Sequence, residues 1–330
     1  MNERNKKIDL NSAKLDEEKK SSLRPLSLNE FIGQQFIKSN LEAYIESSKK
    51  RKKNLDHIIL YGPPGLGKTS LAHIISNEKN VNFHSTSGPA FTKKGDLVTL
   101  LSNMMDGDIL FIDEIHRLSP IIEETLYPAM EDYKCDYVIG SGPSARVVQI
   151  SIEKFTLIGA TTRLGLLSRP LRDRFGIPLQ LSFYEPEDLM KIIILNSKKL
   201  KFLISEDSAY EIAKRSRGTP RIAIRLLKRI IDFSIVNEED KIDLKSAKES
   251  LKKMKIDSEG LDYMDRKYMN CIAYDFHGGP VGVETLSAAL LEHKDIIEDV
   301  IEPYLMQRGL VQRTSRGRIL SQKGLEHIKK

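Results

Sequence analysis

His57-Ile58-Ile59-Leu60-Tyr61 runs straight into Gly62-Pro63-Pro64-Gly65-Leu66-Gly67-Lys68-Thr69, and a helix-length segment over residues 70–77 follows. A short apolar strand, a glycine-rich turn ending in Lys-Thr, and a helix make up a phosphate-binding loop in its proper setting. The chemistry explains the residue types. Glycines let backbone N–H groups turn inward on phosphate oxygens, and the helix N-terminus adds partial positive charge. Lys68 reaches the β- and γ-phosphates, and the Thr69 hydroxyl ligates Mg²⁺. The ligand this implies is ATP with Mg²⁺.

Working outward, short apolar runs recur at 57–61, 81–84, 109–112, 155–160 and 177–183, separated by helix-length segments. Runs apolar throughout and spaced this way predict buried parallel strands, an α/β fold. The third run ends in Asp113-Glu114. Asp113 is placed to hold the Mg²⁺ shell. Glu114, diverging from it at the strand end, is placed to orient or deprotonate the attacking water. His116 has two open readings, a partner of this site or a helix-start contact without chemistry. The fourth run ends in Thr161-Thr162-Arg163, and Thr161 is the candidate γ-phosphate sensor.

Two arginines need an anion. Arg174, in Pro170-Leu171-Arg172-Asp173-Arg174, is a candidate finger acting on a neighbouring subunit's nucleotide, with an internal pair to Asp173 or a nearby acid as the other reading. Gly218-Thr219-Pro220-Arg221 predicts a helix start capped by Thr219. A cation there opposes the helix dipole unless a phosphate sits beside it; solvent screening is the alternative.

After residue 186 the strand signals stop, and apolar residues at three- and four-residue steps predict helices over 188–200, 205–217, 220–236 and 243–253. A linker is expected at 256–260. Three more helical patterns and the hairpin-like 312–321 complete the chain. At 330 residues the chain is long enough for two or three domains of about 100–200 residues. The net charge of +6 and isoelectric point near 9.0 suit a polyanionic partner. Much of that charge is local. Residues 303–330 hold seven Lys or Arg against the single acid Glu326. Arg313, Arg316 and Arg318 on the hairpin are the candidate DNA-phosphate contacts. Cys135 and Cys271 are far apart, which points to neither a disulfide nor a zinc site. With no apolar leader or membrane-length stretch, a cytoplasmic protein is expected.

The strings LRPLSLNEFIGQ, LYGPPGLGKTSLA, FIDEIHRLS, LYPAMEDY, IGSGPSAR, FTLIGATTR, PLRDRFGIPLQL, RSRGTPRIA, FHGGPVGVETLSAAL and QRTSRGR resemble the RuvB family of AAA+ Holliday-junction branch-migration ATPases. The resemblance implies an arm over 1–22, a large ATPase domain over 23–184, a helical lid over 185–256 and a winged-helix head over 257–330. It implies a homohexameric ring on duplex and four-way junction DNA, with RuvA and RuvC as partners and no membrane. It carries over nucleotide contacts at Leu23, Arg24, Gly65, Lys68, Thr69, Ser70, Glu131, Asp132, Tyr133, Tyr184 and Arg221, with Arg174 from the next subunit. Ser70 stands where many relatives have Thr. His293-Lys294-Asp295 is less basic than in relatives, so no DNA contact is assigned to that turn.

Residues 136–152 read as two strands around Gly140-Ser141-Gly142-Pro143. Their apolar members Val138, Ile139, Val147, Val148 and Ile150 form either a patch that docks RuvA, as in the family, or a hairpin packed on its own domain. An ATP-switched loader or initiator without translocation is the competing function. A protein remodeller is a third, against which the basic hairpin argues.

Overall fold

All five apolar runs become strands of one sheet in the computed structural model, which describes residues 23–139 and 146–329. The expected arm over 1–22 and the turn Gly140-Ser141-Gly142-Pro143 lie outside the described residues, as do the side chains of Val138, Ile139 and Val147. The strands are β1 (Ile58–Tyr61), β2 (Phe83–Ser87), β3 (Ile109–Asp113), the hairpin β4 (Lys134–Ile139) and β5 (Arg146–Ser151), then β6 (Thr156–Thr161) and β7 (Ile177–Gln180). The sheet order is β2-β3-β6-β1-β7, parallel throughout. Strands buried on both faces need no polar alternation, which is why β1, β3 and β6 read as unbroken apolar runs. Helix Lys68–Lys79 buries Leu71, Ile74 and Ile75. On one core cluster Ile59, Leu110, Ile112 and Leu157 pack with Leu97, Leu101, Leu126 and Ala129.

The chain forms two units: residues up to Gly62 with Gly67–Ser182, and Pro63–Leu66 with Phe183–Lys330. Four residues of the glycine loop therefore pack with the second unit. That unit holds the four expected helices, at Pro186–Lys199, Glu206–Lys214, Pro220–Val236 and Leu244–Lys253. It also contains a parallel pair absent from the sequence reading, β8 (Leu203–Ile204) and β9 (Lys241–Ile242). Helices Tyr263–Asn270 and Val283–Leu290, the helical stretch 294–307, and the antiparallel pair β10 (Val311–Thr314) and β11 (Gly317–Leu320) surround a separate core of Tyr268, Met269, Leu286, Ile301 and Leu305. This is the expected head, with a further helix at Gln322–Ile328.

Residues 256–260 are not the loose tether that the composition suggests. Arg215 donates to Ile256 O at 3.2 Å, and Arg217 Nε donates to Gly260 O at 2.9 Å. Gly260 has φ +79, and a Cβ there would stand 2.6 Å from Arg215 O, so only glycine fits. Arg217, almost fully buried, pairs with Asp265 and, at 2.9 Å, with Asp262. The segment is gripped from both sides.

The hairpin β4–β5 is partly packed. Cys135 is buried and Ile150 packs against the core, which removes Ile150 from the expected exposed patch; Tyr137 and Val148 stay exposed. Both cysteines are buried free thiols, and burial pushes Cys271 up to about 11. Among the described residues no helix is long and apolar enough to cross a membrane.

Candidate active site

The glycine loop owes its shape to backbone that other residues avoid. Gly62, Gly65 and Gly67 all have positive φ, and a Cβ on Gly65 would press to 3.1 Å from Arg221 Cβ. Gly67 is the N-cap of helix Lys68–Lys79 and brings no capping side chain. The helical ladder begins with Leu71 N donating to Gly67 O at 2.9 Å. The amides of Thr69 and Ser70 precede it, where an anion is the natural acceptor. Lys68 is buried, and its Nζ donates to Gly62 O at 2.7 Å. An ammonium held over a loop of amides, at a helix start without a side-chain cap, fits a polyphosphate.

Two carried-over residues bond to the Gly65–Leu66 stretch. Tyr184 is buried, with its hydroxyl donating to Leu66 O at 3.2 Å. Arg221 N donates to Gly65 O at 3.3 Å while its side chain is exposed. The segment from Leu23 lies along helix Lys68–Lys79. Leu23 is buried, Asn77 donates to Leu26 O at 3.0 Å, and Leu28 N donates to Glu78 at 3.3 Å. Arg24 is close enough to His73 to add to the burial that holds that imidazole below its ordinary range. Thr219 stands at the N-cap position, as the sequence predicts. Its hydroxyl turns back to Ser216 O at 3.3 Å and makes no side-chain capping bond to the helix that begins at Pro220.

At the carboxyl ends of β3 and β6 the acidic pair and the Thr161 hydroxyl stand on either side of His116. Asp113 Oδ1 accepts from Glu114 N at 3.0 Å, and Glu114, at φ +50, leaves the strand direction. Its carboxylate lies 3.3 Å from His116 Nδ1, which in turn is 3.0 Å from Thr161 Oγ1. Thr161 is wholly buried, and its oxygen also accepts from Arg163 N at 3.0 Å. The sequence reading has Thr161 sensing the γ-phosphate through the attacking water; the partners of its hydroxyl here are His116 and Arg163 N. His116, left open in the sequence between a partner of this site and a helix-start contact, stands between the two side chains.

Arg174 is engaged within its own chain, though not with Asp173, which pairs with Arg169 at 3.6 Å. Its guanidinium lies 4.5 Å over the Tyr127 ring, donates to Pro170 O at 2.7 Å and reaches Glu131 at 3.1 Å. Glu131 is thus beside Arg174, Asp132 is exposed, and Tyr133 packs edge-on to Phe155. Tyr127 was not singled out in the sequence. Its hydroxyl is anchored by Glu123 at 3.0 Å and Ser168 at 3.1 Å.

In the head the three candidate arginines part company. Arg316 is exposed at the tip. Arg313, 48% exposed, pairs with Glu302 at 2.6 Å and Glu298 at 3.4 Å. Arg318, only 9% exposed, is bound to Glu302 at 2.7 Å and Glu298 at 2.8 Å, and Tyr268 donates to Glu302 at 3.0 Å. The expectation that Arg318 reaches a phosphate is therefore corrected: burial and two carboxylates hold it inside.

Three family models match in succession: the Holliday junction DNA helicase RuvB P-loop domain over 23–181, the RuvB AAA lid domain over 184–257 and the RuvB C-terminal winged helix domain over 258–329. The chain is similar to the solved Thermotoga maritima RuvB Holliday junction branch migration motor, at 48% identity and a TM-score of 0.86, covering 93% of this chain and 98% of that one. A proline-to-glycine variant of the Thermotoga protein matches with the same identity and coverage, at a TM-score of 0.87.

Proposed function

The chain belongs to the RuvB family of Holliday junction DNA helicases, and from that premise we propose that it is an ATP-hydrolysing motor driving branch migration of four-way junctions. It works as a homohexameric ring on duplex DNA, beside RuvA docked at the hairpin 136–152 and with RuvC following on the same junction. The observation that carries this reading is the unbroken succession of ATPase, lid and winged-helix matches across 23–329.

In this reading Lys68, Gly65 and the amides of Thr69 and Ser70 bind the triphosphate, with Leu23, Arg24, Tyr184 and Arg221 as further nucleotide contacts. The hydrogen bonds from Tyr184 and Arg221 to loop carbonyls support the last two. Mg²⁺, held by Thr69 and Asp113 with the phosphates, supplies charge neutralisation. Glu114 takes the proton of the attacking water. Arg174 serves the nucleotide of the adjacent subunit, and its pairing with Glu131 supports placing Glu131, Asp132 and Tyr133 in that same group. Among the wing arginines, Arg316 and Arg313 meet DNA phosphates; Arg318 fixes the hairpin that presents them.

A synthetic four-way junction incubated with the protein, Mg²⁺ and ATP, with and without RuvA, tests the motor. Separated duplex arms that require ATP are expected. Binding and release with no displaced branch would instead make the chain a loader. For the wing, Arg316→Ala is expected to weaken duplex binding equally on all sequences and to lower the slope of log affinity against log salt by about 1. Arg318→Ala should act on thermal stability first, since it removes one of the two cations paired with the buried Glu302. Equal salt slopes for Arg316→Ala and parent would remove Arg316 from the interface.

A further inference from the structure

Thr161 and Glu114 stand at the ends of adjacent strands, yet no path runs directly between them. The Thr161 side chain is wholly buried, with its oxygen already accepting from Arg163 N. What joins it to the Glu114 carboxylate is one atom, His116 Nδ1, 3.0 Å from Thr161 Oγ1 and 3.3 Å from Glu114 Oε2. An ionised carboxylate only accepts hydrogen bonds, so the nitrogen facing it carries the hydrogen. The Thr161 oxygen, with a second lone pair, shares that hydrogen. The opposite tautomer would set two lone pairs against each other across 3.3 Å.

We propose that His116 is a positioning residue for ATP hydrolysis, its Nδ1–H tying the Glu114 carboxylate to the Thr161 hydroxyl so that the ends of β3 and β6 shift together. Three observations make this more than packing. Glu114 leaves the strand at φ +50, which turns its side chain away from the run of β3. The carboxylate is 39% exposed while the imidazole is 9% exposed, so the histidine is enclosed and the glutamate faces solvent. Oε2 is the carboxylate oxygen that the imidazole approaches, at 3.3 Å. A buried threonine bonded in this way acts on the reaction by positioning the group beside it. The inference rests on reading Glu114 as the base.

The experiment measures kcat, KM and ATP-analogue affinity on the full chain for His116→Phe, which keeps the ring volume, and His116→Asn, which keeps an N–H donor near the position of Nδ1. A base displaced by about 1 Å loses up to about a hundredfold in rate. His116→Phe is therefore expected to lower kcat by about tenfold or more, with KM and nucleotide affinity unchanged within about twofold, and His116→Asn to recover most of that loss. Thr161→Val, the same size without the hydroxyl, should lower kcat similarly, and the double variant with His116→Phe should be no worse than either single. Should His116→Phe fail to fold, Thr161→Val alone decides. Parent-like kcat in either variant, a loss confined to KM, or equal loss in Phe and Asn would overturn the proposal. Glu114→Gln runs beside them. If it turns over ATP like the parent, the assignment of the base fails; if it is dead while His116→Phe is normal, only the link fails.

Discussion

Arg174→Ala is expected to leave ATP binding within about twofold of the parent while lowering kcat by about 10³-fold or more under conditions where the ring assembles. Two effects compete, and their sizes decide between them. As a partly exposed internal pair with Glu131, Arg174 contributes about 0–1 kcal/mol to stability and nothing to turnover. As a cation placed against charge developing on a neighbour's phosphate, it contributes several orders of magnitude in rate. The geometry is that of a side chain prepared in advance: Tyr127 supports its flat face at 4.5 Å and Pro170 O fixes one nitrogen at 2.7 Å. Nε is buried and meets no acceptor among the described residues. Arg174→Lys keeps the charge and loses the planar fork, so it should rescue only part of the rate. A wild-type rate from Arg174→Ala in assembled protein would confine the residue to the internal pair.

The second large effect lies where the lid meets the head. Arg217→Ala removes the cation from a nearly closed site and leaves Asp265, which is 1% exposed, with its carboxyl unpaired. Where the Asp265 carboxyl is ionised, breaking a buried pair from one side costs about 3–5 kcal/mol, so the loss should be read in denaturant melts of the full chain above pH 7. Burial pushes the Asp265 carboxyl up to about 7 in spite of Arg217, while the same guanidinium leaves Asp262 below its ordinary value. The signs oppose. The folded chain keeps a proton on Asp265 that the unfolded chain releases near 3.8, so that contribution is full below 3.8 and is lost as pH rises toward 7. The contribution of Asp262 is present above its unfolded value and is lost on acidification. Asp265→Asn is therefore expected to remove the fall in stability between about pH 4 and 7. An unchanged pH profile would mean that Asp265 is ionised throughout.

Much of this was readable in the chain. β1, β3 and β6 are buried on both sides, so their sequences carry an uninterrupted apolar signal, and the glycine loop declares itself because strand, turn and helix are consecutive. The acidic pair at the end of β3 follows from the same local logic. What stayed hidden depends on pairing at a distance. β8 and β9 are two residues each and exist only because residues 203 and 241 are brought together. Arg217 adopts φ +52, a conformation that a bulky side chain seldom takes and that only its carboxylates and Gly260 explain. Arg313 and Arg318 look alike on a basic hairpin. Their difference comes from Glu298 and Glu302, four residues apart on the preceding helical stretch, whose approach to the hairpin is a tertiary fact.

That same set of ion pairs has a consequence for how the head meets a double helix. A loop tip that had to stiffen on arrival would give up rotational freedom at every encounter, and a moving motor repeats the encounter each step. Here β10 and β11 are already clamped to the helix behind them, so the ordering entropy was spent during folding. Engagement can then be weak, quick and repeatable, as a surface gliding over any sequence requires.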